Sequence, residues 1–463
     1  MGDGGVRQTI CALASGLLPS AIAIIRLSGP DAPAILAAHL RSPPKQPRHA
    51  TLTDVIASDG RVLDRGVAIW FPAPSSYTGE DVLELHLHGG RAVVDGVLAA
   101  LCARDQVRLA EPGEFTRRAF EAGKLDLAEA EGVADLIDAE TAGQRDQALR
   151  QLSGETSDRI SGWRDLLVSC LALIEVMVDF PDEDDAPVET TAQVIPRLQQ
   201  LMTEFDLALA DEGVGERIRD GFRIALIGAP NAGKSSLLNR LARRDAAIVT
   251  DLPGTTRDVV EVRLVLSGQL AILADTAGLR ETNDRIEQEG VTRARRWADQ
   301  ADLRLLVVDA SKVDHAAASE TYEGHDLFRP GDLVLLNKQD LAAPPGEFGS
   351  GRDPYQSVSR ETLAVSARTG EGIDVLEARL SEILAAKVAG QPHPIVTRRR
   401  HREALLAARS ALAAAVSGLE EGQGAELVAE DLRLATRRLG GLLGQVDVEE
   451  ILGAVFAEFC IGK

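Results

Sequence analysis

Apolar and polar residues alternate along Val82-Leu83-Glu84-Leu85-His86-Leu87, the period-two pattern of a strand with one buried face. Ala21-Ile22-Ala23-Ile24-Ile25-Arg26-Leu27 and Gly66-Val67-Ala68-Ile69-Trp70-Phe71 predict two further strands. The turn formers Pro72-Ala73-Pro74-Ser75-Ser76 and Tyr77-Thr78-Gly79 separate the last two of these in sequence. From about residue 124 the period lengthens. Leu166, Leu167, Cys170, Leu171, Leu173, Ile174 and Met177 recur at helical spacing, and this texture returns around Ala404-Leu405-Leu406-Ala407-Ala408. Between the two helical blocks lie short, uninterrupted apolar runs: Phe222–Ile227, Leu270–Ala274, Leu303–Asp309 and Leu333–Leu336. Such runs predict strands buried on both faces of a parallel sheet. The order predicts an α+β domain over 1–123, a helical domain over 124–220 and 385–463, and an α/β domain over 221–384 inserted into it.

Composition adds bounds. With 463 residues, 45% hydrophobic and 26% charged, the chain is globular and long enough for about three domains. The net charge of −21 disfavours general coating of DNA but leaves room for a local RNA-binding patch. Arg398-Arg399-Arg400-His401-Arg402 is a candidate for such a patch, although a solvated helix start is the simpler reading. The acidic run Phe180-Pro181-Asp182-Glu183-Asp184-Asp185 reads as a solvated loop before it reads as a metal site. Four cysteines without CxxC spacing argue against a disulfide framework and fit a reducing compartment. No apolar run reaches the ~18 residues of a membrane span, and no secretory signal is visible. The expectation is a soluble, cytoplasmic protein.

The chemistry concentrates in the inserted domain. Gly228-Ala229-Pro230-Asn231-Ala232-Gly233-Lys234-Ser235 fits G-x-x-x-x-G-K-[ST] and follows a predicted strand. Backbone N–H groups in such a loop converge on phosphate oxygens, Lys234 neutralises them and Ser235 ligates Mg²⁺. Ser236 opens a helix whose N-terminus favours the anion. Asp275-Thr276-Ala277-Gly278 ends the next strand; Asp275 can hold the Mg²⁺ shell and the Gly278 N–H can meet the γ-phosphate. Asn337-Lys338-Gln339-Asp340 ends another. The Asp340 carboxylate can accept from guanine N1–H and the 2-amino group, which adenine does not present there, so GTP is the expected nucleotide. Ser366-Ala367-Arg368 suits a final base-contacting loop. Leu279 stands where Ras-like GTPases carry a water-positioning Gln, so another group must act. Carboxylates between Glu281 and Glu289 are available. Asn231 offers an amide oxygen for a monovalent cation in place of an arginine finger.

These motifs, with Gly254-Thr255-Thr256-Arg257-Asp258, Pro112-Gly113-Glu114-Phe115-Thr116, Lys124-Leu125-Asp126-Leu127 and the terminal Cys460-Ile461-Gly462-Lys463, resemble the MnmE (TrmE) family of tRNA-modification GTPases over essentially the whole chain. The resemblance implies an N-terminal tetrahydrofolate-binding and dimerisation domain, a helical domain, and an inserted Ras-like P-loop G domain. It implies a homodimer that acts with the FAD protein MnmG on the wobble uridine 34 of tRNA. There it forms a 5-carboxymethylaminomethyl or aminomethyl group from a folate one-carbon unit. On the same ground Asn231, Thr250, Leu252 and Thr255 fall on K⁺ ligands, and Ser235 and Thr256 on Mg²⁺ ligands. Glu287 falls on the catalytic glutamate. Arg26, Glu84, Lys124 and Lys463 fall on folate contacts. Ala232, Gly233, Lys234, Ser236, Thr276, Ala277, Asn337 and Lys338 complete the expected GTP-binding set with the residues named above. Ser15-Gly16-Leu17-Leu18-Pro19-Ser20 departs from the family's Arg-Gly-rich turn. The competing class is a ribosome-assembly GTPase switch without modification chemistry, which would need neither the folate residues nor the C-x-G-K end.

Overall fold

The computed structural model describes residues 7–179, 186–210, 213–244, 247–248, 260–275, 295–312, 327–341, 361–389, 394–446, 449–457 and 459–462. The chain divides into two compact units. One comprises Met1–Ile137, Leu149–Thr203 and Glu403–Lys463; the other comprises Asp138–Ala148 and Glu204–Arg402.

The first unit contains a six-stranded sheet of order β3-β4-β5-β2-β1-β6. Its strands are β1 (Thr9–Leu13), β2 (Ser20–Ser28), β3 (Thr51–Ile56), β4 (Val62–Phe71), β5 (Val82–Gly89) and β6 (Val107–Leu109). All neighbours are antiparallel except β1 and β6. Alternation along β5 buries Leu83, Leu85 and Leu87 and leaves Glu84, His86 and His88 towards the other face. The buried face packs on the helices Ala32–His39 and Arg91–Cys102, through Ile35, Val94, Val97 and Leu101. Phe115, on the helix Glu114–Glu121, buries its ring against Ile10, Ala12 and Ala110. The helical part follows the predicted period. Ala425–Leu442 packs along Glu155–Asp179, so the blocks on either side of the inserted stretch do meet. Phe456 of the last helix, Glu449–Ala457, and Phe459 just beyond it join Leu127, Ala130 and Phe120 in a separate apolar cluster.

The second unit holds a seven-stranded sheet of order β13-β12-β11-β7-β10-β9-β8. These are β7 (Phe222–Ile227), β8 (Ala247–Ile248), β9 (Val260–Leu266), β10 (Gln269–Asp275), β11 (Leu303–Asp309), β12 (Leu333–Asn337) and β13 (Thr362–Ala364). Strands β10, β7, β11, β12 and β13 run parallel, while β9 and β8 form an antiparallel edge. Apolar clusters cover both faces of this sheet, which explains the unbroken runs in β7 and β11. The basic run at 398–402 is a helix start, as expected, but only partly solvated: Arg399 is exposed. Arg398 and His401 are buried and Arg402 pairs with Glu216, so these side chains pack inside their own unit. The acidic run at 180–185 lies outside the described residues.

A buried ionic cluster fixes the N-terminal sheet to the helix Glu114–Glu121. Arg118, with a side chain only 3% exposed, contacts Glu80 at 3.0 Å and Glu114 at 2.8 Å, and donates to the Gln8 carbonyl at 3.0 Å. Burial pushes the Glu114 carboxyl up. Hydrogen bonds from Arg108, the Glu111 amide and Arg118 outweigh that and hold it down at about 2. The folded form thus retains the charge below the usual value near 4.3, so the stabilisation is complete at neutral pH. It is lost as pH falls from about 4 towards 2, and amounts to about 3 kcal/mol. Glu114→Gln is expected to lower stability at pH 7 and to flatten the acid limb of the unfolding profile. An unchanged acid midpoint in circular-dichroism titration of that variant would contradict this account.

Candidate functional site

Strand β7 delivers the chain into the phosphate loop, and close packing dictates its glycines. Gly228 has φ +132°, and a Cβ there would lie 2.3 Å from the Val307 carbonyl oxygen. At Gly233, φ is +98° and a Cβ would lie 2.2 Å from Asn337 Nδ2. Larger residues at either place would push the loop off β11 and β12. The helix Lys234–Leu241 starts directly after Gly233. Lys234 curls back over the loop, donating to the carbonyls of Gly228 at 2.7 Å and Ala229 at 3.0 Å. Its ammonium is therefore held above the loop's backbone, where a phosphate would be neutralised.

Ser235 Oγ donates to Asp275 Oδ2 at the end of β10. A hydroxyl and a carboxylate meeting beside the phosphate loop fit the oxygen donor set of Mg²⁺. Asn337 is buried and bonded at both ends of its amide. Nδ2 donates to the Ala232 carbonyl at 2.8 Å, and Oδ1 accepts from the Ala367 amide at 3.0 Å. It thereby ties the phosphate loop to the Ser366–Arg368 loop. Lys338, in the left-handed region at φ +66°, donates to the Asn231 carbonyl at 2.6 Å and to Asp309 Oδ2 at 2.7 Å. Burial pushes the Asp309 carboxyl up, and bonds from Lys338 and Ser311 more than offset that, leaving it below the ordinary range. Asp340 Oδ1 accepts from Ser366 Oγ at 2.7 Å, and Arg368 stands 3.6 Å from Oδ2. Arg240 donates to the carbonyl of Ala367 at 2.9 Å. Asn231 has φ +61° and is exposed; among the described residues its side chain makes no hydrogen bond.

The fold thus gathers Asn231, Ala232, Gly233, Lys234, Ser235, Ser236, Asp275, Asn337, Lys338, Asp340, Ser366, Ala367 and Arg368 at the C-terminal ends of β7, β10, β12 and β13. That is where open α/β sheets bind ligands. Thr250, Leu252, Thr255, Thr256, Thr276, Ala277, Gly278, Leu279 and Glu287 lie outside the described residues. The sequence reading gave Asp309 and Arg240 no role. Asp309 ends a buried strand, which was the available signal.

Of the other predicted residues, Arg26 and Glu84 meet on the face of the N-terminal sheet away from the helices Ala32–His39 and Arg91–Cys102. Arg26 and Glu84 are opposed in the β2–β5 register, and Arg26 Nε contacts Glu84 Oε1 at 3.0 Å. The Arg26 guanidinium lies 5.7 Å from the ring centroids of both Tyr77 and Phe115, within cation–π range. Tyr77 is held by a 2.9 Å bond between its hydroxyl and that of Thr116. Burial pushes the Tyr77 phenol up, against the Thr116 bond and the Arg26 charge. Lys124 is exposed beside the Tyr77–Gly79 turn, its Cε 3.6 Å from where a Gly79 Cβ would stand. The far end of the chain is here too. Ile461 forms a β-bridge with Pro112, and Gly462, at φ +97°, packs so tightly on β1 that a Cβ would lie 2.1 Å from the Leu13 carbonyl oxygen. Lys463 lies outside the described residues. Sequence reasoning missed the two rings around Arg26; neither Tyr77 nor Phe115 stands near Arg26 in sequence.

The parallel sheet, the glycine-shaped phosphate loop and the Asn337–Asp340 loop define a P-loop GTPase. A family model for the GTP-binding protein TrmE N-terminus matches residues 9–124, and one for the MnmE helical domain matches residues 127–460. The chain belongs to the MnmE family of tRNA modification GTPases. It is 54% identical over 461 residues to the tRNA modification GTPase MnmE of Hyphomonas neptunium, covering 99% of each chain. With the Caulobacter vibrioides protein of the same name it shares 52% identity, over 98% of this chain and 100% of the other. Among solved structures, the G domain of the T. maritima FeoB iron transporter aligns with 36% of this chain and 98% of its own, at 22% identity and a TM-score of 0.26. Among the described residues no helix is long and apolar enough to cross a membrane.

Asn337→Ala would leave the Ala232 carbonyl and the Ala367 amide without their partner, at about 1–3 kcal/mol each if no water replaces it. The G unit should melt at lower temperature, and GDP and GTP affinity should fall together, since both loops slacken. Fluorescent-nucleotide titration with thermal unfolding checks this; wild-type affinity and melting would refute the bridging role.

Proposed function

We propose that this GTPase takes part in forming the 5-carboxymethylaminomethyl or aminomethyl group on the wobble uridine 34 of tRNA. The one-carbon unit comes from a reduced folate, and an FAD-carrying MnmG protein is the partner. The observation that carries the folate half is the pairing of Arg26 with Glu84 between the Tyr77 and Phe115 rings, with Gly462 laid against β1. A pterin is flat and rich in N–H donors, which suits the partly exposed Tyr77 ring and the Glu84 carboxylate. Arg26, Lys124 and Lys463 supply the cations that a folate's glutamate tail requires. The active form is a homodimer through the N-terminal domains, acting in the cytoplasm.

In the G unit, Asp340 accepts from guanine N1–H and the 2-amino group, and Ser366–Arg368 close over the base. Mg²⁺ is held by Ser235 and Thr256 with Asp275 in its shell; it neutralises the phosphates. Lys234 and the amides around Gly233 and Gly278 receive the β- and γ-phosphates, with Ser236, Thr276 and Ala277 completing the cradle. K⁺ is held by Asn231 and Thr255 and by the carbonyls of Thr250 and Leu252; it supplies the positive charge that an arginine finger gives elsewhere. Leu279 cannot orient water, so Glu287 takes that role.

Two measurements test the reading. Arg26→Ala should abolish the rise in melting temperature that a reduced folate gives the native protein. GTP hydrolysis should be nearly unchanged, because Arg26 and the phosphate loop belong to different units. Undiminished folate affinity in that variant would remove the folate assignment. For hydrolysis, K⁺ should outperform Na⁺ at equal ionic strength, and Asn231→Ala should erase the difference. Glu287→Ala should lower kcat by a factor on the order of 10²–10³ with GTP affinity retained. Equal wild-type rates in both salts would overturn the cation role, and a fully active Glu287→Ala would overturn the other.

A further inference from the structure

Only four cysteines occur in the chain, yet two of them touch. Cys11 sits in the middle of β1, wholly buried, and Cys102 is the last residue of the helix Arg91–Cys102, half-buried. Their sulphurs are 3.5 Å apart across 91 residues of sequence. The contact is made by the helix packing on the sheet, in the apolar layer of Leu27, Val97 and Leu101. Among the described residues no cluster of three or more His, Cys, Asp or Glu side chains could hold a metal ion, so this pair lacks the ligand number of a zinc site. Cys170 and Cys460 stand elsewhere, one buried on the helix Glu155–Asp179 and the other exposed in the tail.

We propose that Cys11 and Cys102 are a reversible redox modification site, closing to an intramolecular disulfide with a hydroperoxide as oxidant. The half-buried Cys102 is the sulphur a small oxidant reaches. Its thiolate attacks the peroxide O–O bond, giving the sulfenic acid and releasing hydroxide, which takes up the thiol's proton as water. The Cys11 sulphur then displaces water from the sulfenic acid, its own proton leaving with the hydroxyl group. In sum, two thiols and one H₂O₂ give one disulfide and two waters. Burial pushes the Cys11 thiol far up, with Cys102 beside it adding to the shift. Cys11 takes the second step because it is the sulphur already in contact with Cys102, and mildly alkaline pH favours the thiolate that this attack needs. Bringing the sulphurs from 3.5 Å to the bonded distance of about 2.05 Å is a small adjustment of side chains already in contact. The bond would staple β1, which pairs Ala12 with Arg26 and receives Gly462 on Leu13, to the helix behind the sheet. The G unit has no part in it.

The test uses the full-length protein. It is treated with excess H₂O₂ at mildly alkaline pH, quenched, then unfolded in an alkylating agent and mapped by mass spectrometry. The expected result is a Cys11–Cys102 linkage, with Cys170 and Cys460 free of it, reversed by dithiothreitol. Because the closed loop is long, the oxidised protein should melt higher than the reduced one by at least about 4 °C. Cys102→Ser should lose both the linkage and the shift while keeping the far-UV circular dichroism and the melting temperature of the reduced wild type, which report that its first unit is folded. Cys11→Ala provides the same comparison from the other sulphur. All four thiols remaining alkylatable, or linkage through Cys460 between molecules instead, would overturn the proposal.

Discussion

A buried amide must satisfy both of its ends, and in the G unit that requirement falls on Asn337. Its donor goes to the phosphate loop and its acceptor takes the amide of the Ser366–Arg368 loop, so segments more than a hundred residues apart share one side chain. Gly233 is glycine because of it: no Cβ fits between that residue and the Asn337 amide. Lys338 repeats the logic one residue on, reaching the Asn231 carbonyl and Asp309. The loops that would grip base and phosphate are thus cross-braced by protein groups, and a ligand's binding energy need not be spent on ordering those contacts.

The first unit rests on a different constraint. The Arg118 guanidinium can only donate hydrogen bonds, and it is almost fully enclosed. A buried guanidinium demands carboxylates, and Glu80 and Glu114 provide them. Glu80 also accepts from Ser28 at the end of β2, and Ser28 shares a hydrogen bond with Thr78. The turn carrying Tyr77 is thereby locked to the strand carrying Arg26. The rings around Arg26 hold their places because the buried Arg118 charge, far from Arg26 and Tyr77 in sequence, has nowhere else to go.

Legibility in the sequence followed the range of the interactions. Strands β7, β10 and β11 could be read because both faces are buried, which leaves an unbroken apolar run. The phosphate loop could be read because its geometry is local to eight residues. β1 and β3 went unpredicted; β3 has only half-covered alternation with polar Thr51, Thr53 and Asp54. The basic run at 398–402 suggested solvent, but Arg398, just before the helix, and His401, in its first turn, are buried. Arg118 with Glu80, Arg26 with Tyr77, and Cys11 with Cys102 are joined only by the folded backbone. No spacing rule in one sequence announces such pairs.

The contact between Gly462 and Leu13 carries a consequence for biosynthesis. β1 leaves the ribosome well before the residues that cover its end, which follow it by almost the whole length of this sequence. The sheet can collapse early around its two helices, but the surface beside Arg26 stays unfinished while the helical segments and the entire G unit are being translated. A chain cleaved just before residue 459 would still contain every strand of both sheets and the whole phosphate loop. It would lack the strip of backbone bridged to Pro112, and so would be a nucleotide-binding protein with an open first unit.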